Sequence, residues 1–456
     1  MIPLPHTKGQ SFYVFGLGKS GLSAAHALIE SGAHVQAWDD EPESIEKAKF
    51  LDIPVTPPDR INWSQQKGLI LSPGIPHTYP TPHPVATLAK EYHVPILCDV
   101  ELLLQARPQN TFIGITGSNG KSTTTALIAH ILKEAGLKVQ EGGNLGIPAL
   151  DLTPLDEKGV YVLELSSFQL DLCFSPSLKG AIFINVTKNH LDRHGGMEGY
   201  IESKKRIFKL LKPKGKKVIG VDSDDMQKIC QEEQGLPISA THKVPGIFVE
   251  KGHLIDARTQ PARSIMDLNS LENLKGTHNF QNIAAAFAIL TDLDLATPDQ
   301  IIHGIKTFQG LPHRQEIVAR FKNILFVNDS KATTLEASIQ SIQQFEPIYW
   351  IVGGVPKEGF EDISALKPYE SRIQKAFLIG QSSHAYYALF HKKFDCLETQ
   401  TLEKATQAAF QEALKNPAEN ITILLAPACA SYDQFDNFEH RGNVFKKYVA
   451  NLIGQS

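Results

Sequence analysis

The segment of residues 114–123 constrains the fold more than any other part of the chain. Its sequence, Gly-Ile-Thr-Gly-Ser-Asn-Gly-Lys-Ser-Thr, follows the apolar residues 111–113 and precedes the apolar stretch 126–132. A strand, a glycine-rich turn and a helix start place backbone N–H groups at the positive end of a helix, which binds phosphate. Lys121 can reach the outer phosphates of a nucleotide, and the Ser122 hydroxyl can bind Mg²⁺. The segment therefore predicts an α/β domain with a phosphate-binding loop.

This loop is a variant of the general pattern. Ile115 stands where glycine is usual, and glycine is found at Gly114 and Gly117 instead. The variant spacing narrows the set of proteins that the chain can resemble.

Length and composition exclude several classes of protein. A chain of 456 residues predicts about three domains. A hydrophobic fraction of 42% and a net charge of −4 indicate a soluble globular protein, with no basic excess for nucleic acid and no apolar run for membrane insertion. The five cysteines are scattered and form no CxxC pair, so we expect reduced, packed thiols in a cytoplasmic protein, with neither disulfides nor zinc.

Short apolar runs alternate with amphipathic stretches, which predicts α/β structure with mostly parallel sheets. We expect a first helix over residues 20–31 and short antiparallel strands in the polar stretch 223–263. The predicted domains are an N-terminal Rossmann-like domain (1–107), a central P-loop ATPase domain (108–311) and a C-terminal Rossmann-like domain (312–456).

A second glycine-rich turn lies near the N-terminus. Residues 16–21 fit the dinucleotide pattern GxGxxG, and Asp39 ends the next strand, where that pattern expects a ribose-binding acid. The turn is compatible with NAD, with another nucleotide diphosphate, or with a purely structural strand-to-helix turn.

Two further strand ends carry polar side chains. Glu164 follows the apolar residues 160–163, where a carboxylate can complete the ligand shell of Mg²⁺. His190 lies in the polar segment 185–195, as a metal or acid–base candidate. The alternatives are that Glu164 is a surface carboxylate without a function and that His190 only packs against its neighbours.

Polar residues later in the chain suit a nucleotide and a carboxylate ligand. Asn279 and Asn282 lie three residues apart and would share a helix face, either to bind a purine edge or to cap the helix. Arg314 suits phosphate and Asp329 suits a ribose hydroxyl, whereas Lys331 and Lys357 suit a carboxylate. Each lysine alone is also compatible with a solvated surface charge.

Together these motifs resemble the Mur ligase family, which builds the peptide of bacterial cell-wall precursors. The resemblance covers essentially the whole chain, and its C-terminal part is similar to the D-glutamate-adding members. Two positions depart from the family pattern: Asn189 replaces a usual aspartate, and residues 353–359 lack an acid after the paired glycines. The matching segments, in family order, are 116–122, 164–169, 190–192, 278–282, 313–314, 328–333 and 427–442.

The resemblance implies an ADP-forming ligase that adds D-glutamate to UDP-N-acetylmuramoyl-L-alanine through an acyl phosphate in peptidoglycan synthesis. It implies ATP and Mg²⁺, with ATP between the second and third domains, and a carbamylated lysine at Lys204, whose neighbour Lys205 is the alternative register. We expect a monomer. The implied catalytic residues are Lys121, Glu164, His190 and Lys204, and the implied metal ligands are Ser122, Glu164, His190 and Lys204.

The resemblance also implies three sets of binding residues. For ATP they are Gly117, Ser118, Asn119, Gly120, Lys121, Ser122, Thr123, Asn279, Asn282, Arg314 and Asp329. For the UDP-sugar they are Gly18, Lys19, Ser20, Asp39, Ser72, Gly74, Asn144, Ser166 and Gln169. For D-glutamate they are Thr333, Lys357, Ser431 and Phe438.

Three other functions stay open at this point. A related ligase, such as the alanine-adding Mur enzyme or folylpolyglutamate synthetase, shares the central motifs. An NAD-dependent oxidoreductase would use the segment from Gly16 to Asp39. A non-catalytic nucleotide-binding regulator would bind ATP without forming ADP.

Overall fold

The computed structural model describes residues 1–144, 146–271, 273–356 and 360–454. Within these residues the strands form three sheets, of four, nine and six strands. The chain divides into two compact units, the first made of residues 1–271 and 277–308 and the second of residues 272–276 and 309–456. The first unit contains the four- and nine-stranded sheets, and the second contains the six-stranded sheet.

The four-stranded sheet is parallel, with strand order β2-β1-β3-β4. Its first helix begins and ends one residue earlier than predicted, because Gly18 is the N-cap and Ser31 the C-cap. The strands are β1 (Ser11–Phe15), β2 (His34–Trp38), β3 (Gln66–Leu71) and β4 (Ile96–Leu97), and the helices are α1 (Lys19–Glu30), α2 (Pro42–Phe50), α3 (Pro84–Glu91) and α4 (Asp99–Ala106).

The nine-stranded sheet has the order β13-β12-β11-β10-β9-β8-β5-β7-β6. Its central strands are buried apolar runs, as expected for parallel strands covered on both faces. The strands are β5 (Thr111–Thr116), β6 (Val139–Gly143), β7 (Val160–Glu164), β8 (Leu178–Phe183), β9 (Leu211–Gly220), β10 (Leu236–Ser239), β11 (Ile247–Glu250), β12 (His253–Asp256) and β13 (Arg263–Asp267). The helices are α5 (Lys121–Glu134), α6 (Ser167–Leu170), α7 (Leu191–His194), α8 (Met197–Lys209), α9 (Asp224–Glu233), α10 (Thr277–Asp292) and α11 (Pro298–Thr307).

The prediction for residues 223–263 is only partly right. The stretch begins with α9 rather than a strand, and β10 pairs in parallel with both β9 and β11. Only β11, β12 and β13 form the antiparallel edge. The helix was missed because its apolar residues Met226, Ile229 and Cys230 form a short stripe in an otherwise acidic segment.

The six-stranded sheet of the second unit has the order β14-β15-β19-β16-β17-β18 and is parallel except for the β14–β15 pair. The strands are β14 (Glu316–Phe321), β15 (Ile324–Asn328), β16 (Ile348–Gly353), β17 (Ile373–Ile379), β18 (Asp395–Gln400) and β19 (Ile421–Leu425). The helices are α12 (Leu335–Ile342), α13 (Ser383–Phe390), α14 (Leu402–Ala413) and α15 (Phe438–Gly454).

The predicted fold class, α/β with mostly parallel sheets, is confirmed. In parallel sheets the carboxyl ends of neighbouring strands meet at one edge, where ligands bind. The predicted polar residues Asp39, Glu164, Asn185 and Asp329 lie at or just after such ends. None of the described helices has the length and apolar character needed to cross a bilayer.

Replacement of Trp63 by alanine tests the core of the first unit. The Trp63 ring is 4% exposed, packs edge-on against Tyr13 at 5.2 Å and donates its N–H to the Pro58 carbonyl. We expect Trp63→Ala to lower the free energy of unfolding by about 3–5 kcal/mol, measured by urea denaturation followed by circular dichroism. The control Phe50→Ala removes a ring that is 86% exposed and should change stability by less than about 0.5 kcal/mol. Equal effects of both changes would contradict this packing.

Candidate active site

The phosphate-binding loop connects β5 to α5. β5 ends at Thr116 and α5 begins at Lys121, with Gly120 as the N-cap in the left-handed region at φ 80°. A Cβ atom at Gly120 would collide with Asn282 Oδ1. Glycine is therefore required here both by the backbone conformation and by the close approach of α10.

Lys121 lies over this loop. Its Nζ donates hydrogen bonds to the carbonyl oxygens of Gly117 (2.8 Å) and Ser118 (3.0 Å). An ammonium group at the N-terminus of α5 adds to the positive potential of the helix end, so the loop attracts an anion.

The segment after β8 holds the other side of the loop. The N–H of Ser118 donates to Asn185 O (2.9 Å), and the N–H of Asn119 donates to Asn185 Oδ1 (2.9 Å). The Ser118 hydroxyl accepts from the N–H of Thr187 (2.9 Å) and lies 3.2 Å from the Tyr200 hydroxyl. Asn185 belongs to the predicted polar segment after β8, and Tyr200 lies on α8; neither was among the predicted binding residues, yet both shape the loop.

Glu164 lies beside the loop at the end of β7, where it pairs in register with Ile115 of β5. Its side chain is 3% exposed, and Oε1 accepts from the Asn144 amide at 2.7 Å. Oε2 has no hydrogen-bond partner among the described residues. A buried, unpartnered carboxylate oxygen is costly unless a cation or donor joins it, so this oxygen fits a metal ion.

Lys204 reaches the loop from α8. Its side chain is 2% exposed, and Nζ donates to Gly117 O at 2.8 Å and lies 4.6 Å from the centre of the Tyr200 ring. Burial and the nearby Lys121 ammonium, opposed by the Glu164 carboxylate, lower the pKa of the Lys204 amine from 10.5 to about 6. Lys205 instead forms ion pairs with Glu202 and Glu232 (both 3.0 Å), so Lys204 is the lysine that faces the loop.

His190 lies just before α7 in the left-handed region, at φ 52°. His190 is exposed, and the centre of its ring lies 5.2 Å from the centre of the Phe168 ring in a T-shaped arrangement. Partial desolvation, then the charges of Lys204 and Lys121, lower its pKa, while Asp192 opposes them. A neutral imidazole can act as a metal ligand.

The acidic, histidine and cysteine side chains near Glu164 could hold a cation only together with other ligands. No three His, Cys, Asp or Glu side chains converge in the part of the chain that the structure describes. A metal ion beside Glu164 would need further oxygen ligands, and the nearby start of α5 carries the Ser122 hydroxyl, on a residue that is 6% exposed.

Two predicted ATP contacts lie together on α10, as expected from their spacing. Asn282 is 1% exposed and donates to Asn279 Oδ1 at 3.2 Å, and its own Oδ1 accepts from the Thr124 hydroxyl at 3.1 Å. The shared helix face is confirmed. Asn282 thus links α10 to α5 by a hydrogen bond next to the phosphate-binding loop.

The N-terminal turn brings two of the predicted UDP-sugar residues together. Asp39 accepts from the backbone N–H groups of Leu17 and Glu41, and the Ser72 hydroxyl donates to Gly16 O at 2.7 Å. Gly18, Lys19 and Ser20 form the start of α1 beside them.

The remaining predicted UDP-sugar residues already have partners within the fold. The Asn144 amide donates to Glu164, and Ser166 and Gln169 form a capping box at the start of α6. The spacing Ser-x-x-Gln is a readable signal for such a cap. Gly74 O accepts from Arg193 Nη1 at 2.8 Å, which ties the turn after β3 to the His190 segment.

In the second unit, Asp329 is buried at the end of β15. Its carboxylate accepts from the Ser341 hydroxyl, and burial raises its pKa to about 6, opposed by Ser341 and Arg314.

The predicted D-glutamate residues also belong to the second unit. Lys331 lies 4.0 Å from the centre of the Phe438 ring, and Thr333 lies two residues further on. Ser431 is 2% exposed. The predicted Lys357 lies outside the described residues.

Arg441 was not singled out from the sequence. Its guanidinium is 1% exposed and donates to Ser330 Oγ (2.9 Å), Ser330 O (2.9 Å) and Cys429 O (3.1 Å). Burial lowers its pKa to about 10. It thus joins the turns after β15 and β19 to α15, the elements that carry Thr333, Ser431 and Phe438. A cation in the first turns of a helix opposes the helix dipole, which is the signal that the sequence offered.

Comparisons with known proteins agree with this geometry. A family model described as the Mur ligase middle domain matches residues 115–290. The chain is 43% identical to the UDP-N-acetylmuramoylalanine–D-glutamate ligase of Rhodospirillum rubrum, over 99% of this chain and 97% of that relative. It is 42% identical to the ligase of the same name from Caulobacter vibrioides, over 99% of this chain and 98% of that relative.

Solved structures share the fold. The UDP-N-acetylmuramate–alanine ligase of Thermotoga maritima matches with a TM-score of 0.59 at 17% identity, over 97% of this chain and 99% of that one. The MurF ligase of Thermotoga maritima in complex with ADP matches with a TM-score of 0.57 at 17% identity, over 99% and 98%.

The fold and the variant phosphate-binding loop are those of a Mur ligase. The full-length identity is more specific than the shared fold. The chain belongs to the Mur ligase family, in its branch of UDP-N-acetylmuramoylalanine–D-glutamate ligases.

Substitution of Gly120 tests the loop geometry. Gly120→Ala places a Cβ in a left-handed residue and against Asn282, a strain of about 1–2 kcal/mol before the collision is counted. We expect the dissociation constant for Mg²⁺·ADP, measured by titration calorimetry, to rise at least about tenfold.

The matched control is Gly136→Ala. Gly136 has a similar φ of 86°, but a Cβ there would meet nothing within 4 Å. This variant should lose stability without losing nucleotide affinity. Wild-type affinity in Gly120→Ala would contradict the described loop.

Proposed function

We propose that this protein is an ATP-dependent ligase that joins D-glutamate to the alanyl carboxyl group of UDP-N-acetylmuramoyl-L-alanine, a step in peptidoglycan precursor synthesis. The observation that carries the proposal is the 43% identity, over 99% of the chain, to a relative named for that reaction. The cationic loop beside an unpartnered carboxylate oxygen supports it independently.

The chemistry explains why ATP is needed. A carboxylate does not react readily with an amine in water, so it must first gain a leaving group. A carboxylate oxygen attacks the γ-phosphorus, the bond from that phosphorus to the β,γ-bridging oxygen breaks, and ADP leaves. The amine nitrogen of D-glutamate then attacks the acyl carbon, the bond from that carbon to the phosphate oxygen breaks, and phosphate leaves as the nitrogen loses its proton.

Positive charge must bring two anions together in the first step. We assign residues 117–123 to ATP, with Lys121 and the N–H groups at the start of α5 directed at its phosphates, supported by the position of Lys121 at that helix start. We assign the Mg²⁺ sites to Ser122, Glu164, His190 and Lys204, supported by the unpartnered Glu164 oxygen and the lowered pKa of His190. When bound, Mg²⁺ neutralises the charge between the phosphates and the attacking carboxylate.

We further propose that Lys204 carries a carbamate. Only an uncharged amine adds to CO₂, and the Lys204 pKa of about 6 leaves most of its amine uncharged at neutral pH. The addition of CO₂ to the uncharged amine forms a nitrogen–carbon bond and releases one proton from that nitrogen, which turns a neutral group into an anion. An anion at this point would pair with Lys121 and supply oxygen ligands to a metal.

The other site assignments are proposals of the same kind. We infer that Asn279, Asn282, Arg314 and Asp329 contact ATP. The UDP-sugar is assigned to the turns around Gly18, Asp39 and Ser72, with Gly74, Asn144, Ser166 and Gln169. D-Glutamate is assigned to Thr333, Lys357, Ser431 and Phe438. The domain boundaries proposed are 1–107, 108–311 and 312–456.

ADP release tests the function. Purified protein with Mg²⁺·ATP and UDP-N-acetylmuramoyl-L-alanine should form ADP with D-glutamate and only weakly with L-glutamate, L-alanine or glycine. The measurement is a coupled ADP assay with each amino acid in turn, with UDP-N-acetylmuramate as the control acceptor. Equal stimulation by the other amino acids would favour a related ligase. No ADP with any pair would contradict the proposal.

Replacement of Lys204 tests the carbamate. Lys204→Ala should lower kcat at least about a hundredfold, the scale of losing one strong electrostatic contact, with partial rescue by small added carboxylates. Nuclear magnetic resonance with ¹³C-bicarbonate should give a carbamate carbon signal that this variant lacks.

Lys205→Ala is the matched control, because Lys205 pairs with Glu202 and Glu232 instead of facing the loop. It should keep both the signal and the activity. Near-normal activity of Lys204→Ala would overturn the assignment.

A further inference from the structure

A line of side-chain amides leads from the phosphate-binding loop to a carboxylate. The N–H of Asn119 donates to Asn185 Oδ1 (2.9 Å), and Asn185 Nδ2 donates to Gln281 Oε1 (3.2 Å). Gln281 Nε2 then donates to Asp222 Oδ2 (2.8 Å). We call these residues, Asn119, Asn185, Gln281 and Asp222, the amide relay. It joins the loop to β8, α10 and the end of β9.

Asp222 determines the direction of the amide relay. Its carboxylate also accepts from the Ser239 hydroxyl, the N–H of Ala240 (3.1 Å) and the Thr241 hydroxyl (2.8 Å). A carboxylate accepts hydrogen bonds and has none to donate. The Gln281 amide must therefore turn its NH₂ group toward Asp222.

The orientation of the Gln281 amide fixes the orientation of the Asn185 amide in turn. With its NH₂ group turned to Asp222, Gln281 presents its oxygen to Asn185, so Asn185 must donate with Nδ2 and accept with Oδ1. Only this arrangement gives the N–H of Asn119 an acceptor. In the reversed arrangement the Asn185 NH₂ group would face the N–H of Asn119, so two donors would meet at the loop and the exposed Asn119 would lose its contact with Asn185.

The fold leaves room for the relay. Gln281 is 6% exposed, and Gly220 lies at the end of β9 beside it. A Cβ at Gly220 would lie 2.7 Å from Gln281 Nε2. The absence of a side chain at this glycine therefore keeps open the path between Gln281 and Asp222.

We propose that Asp222 and Gln281 are positioning residues that fix the phosphate-binding loop through Asn185. Neither residue was among the sequence-predicted site residues. They act on the loop backbone from outside the nucleotide site. This inference rests on the proposed use of ATP at the loop.

Single substitutions that place like charges at the end of the amide relay, or that no longer fix the orientation of its amides, should weaken nucleotide binding. Gln281→Glu puts a carboxylate oxygen against Asp222, and Asp222→Asn removes the fixed direction of the relay. Each should raise the dissociation constant for Mg²⁺·ADP and the KM for ATP by about five- to tenfold, the worth of one hydrogen bond. The KM values for the other two substrates and kcat should change less than about twofold.

The double variant distinguishes a positioning role of the two residues from general destabilisation of the fold by the single substitutions. When Asp222→Asn and Gln281→Glu are combined, the new amide NH₂ at position 222 donates to one oxygen of the new carboxylate at position 281. The other oxygen of that carboxylate still accepts from Asn185, so the direction of the relay is restored. We expect the affinity for Mg²⁺·ADP to return to within about twofold of wild type. Gln231→Glu, an exposed change on α9, is the control and should match wild type throughout.

Thermal unfolding by circular dichroism accompanies each titration. Single variants with wild-type affinity for Mg²⁺·ADP would overturn the inference, and so would a double variant that binds no better than the weaker single variant. A wild-type protein that does not bind Mg²⁺·ADP at all would defeat the proposed function first, and the inference with it.

Discussion

Two lysine side chains share one backbone carbonyl oxygen, and the rest of the candidate site depends on that contact. Lys121 Nζ and Lys204 Nζ each lie 2.8 Å from Gly117 O. Burial of Lys204, and then repulsion by the nearby Lys121 ammonium, lower the pKa of the Lys204 amine to about 6. The two amines beside the loop therefore differ, because the Lys204 amine holds its proton less tightly than an ordinary lysine does.

The surrounding elements keep this arrangement in place. Gly120 allows α10 to approach the loop, Asn282 fastens α10 to α5, and Tyr200 covers Lys204 while its hydroxyl meets Ser118. Glu164, in register with Ile115 of β5, supplies a buried carboxylate oxygen that has no hydrogen-bond partner among the described residues. Each contact joins a different element to the loop, so the geometry of the loop is a property of the whole nine-stranded sheet and its helices.

Much of this could be predicted from the sequence, since parallel strands gather their carboxyl ends at one edge. Glu164 and the Asn185–His190 segment each follow an apolar strand, and the rule that places them together holds. The choice of Lys204 over Lys205 follows the buried helix face of Tyr200, Ser203 and Ile207. The capping box of Ser166 and Gln169 was also readable, and the proposed contact of these residues with substrate stays a prediction.

Other features could not be read from the chain alone. The amide relay joins Asn185 to Gln281, 96 residues away, and its direction depends on donors around Asp222 that come from another strand end. The partners of Arg441, two backbone carbonyls and the Ser330 hydroxyl, cannot be identified from the sequence, although its place near the start of α15 is unusual for a cation. Local periodicity predicts elements and edges, whereas contacts between distant polar groups depend on how the elements pack.

Transfer of labelled oxygen tests most directly whether this site activates a carboxylate with ATP. UDP-N-acetylmuramoyl-L-alanine labelled with ¹⁸O in its carboxyl group would be incubated with Mg²⁺·ATP and D-glutamate, and the released phosphate examined by ³¹P nuclear magnetic resonance. An acyl phosphate route predicts one ¹⁸O atom in each phosphate formed. Phosphate that carries no label, released along with the ligated product, would contradict the account.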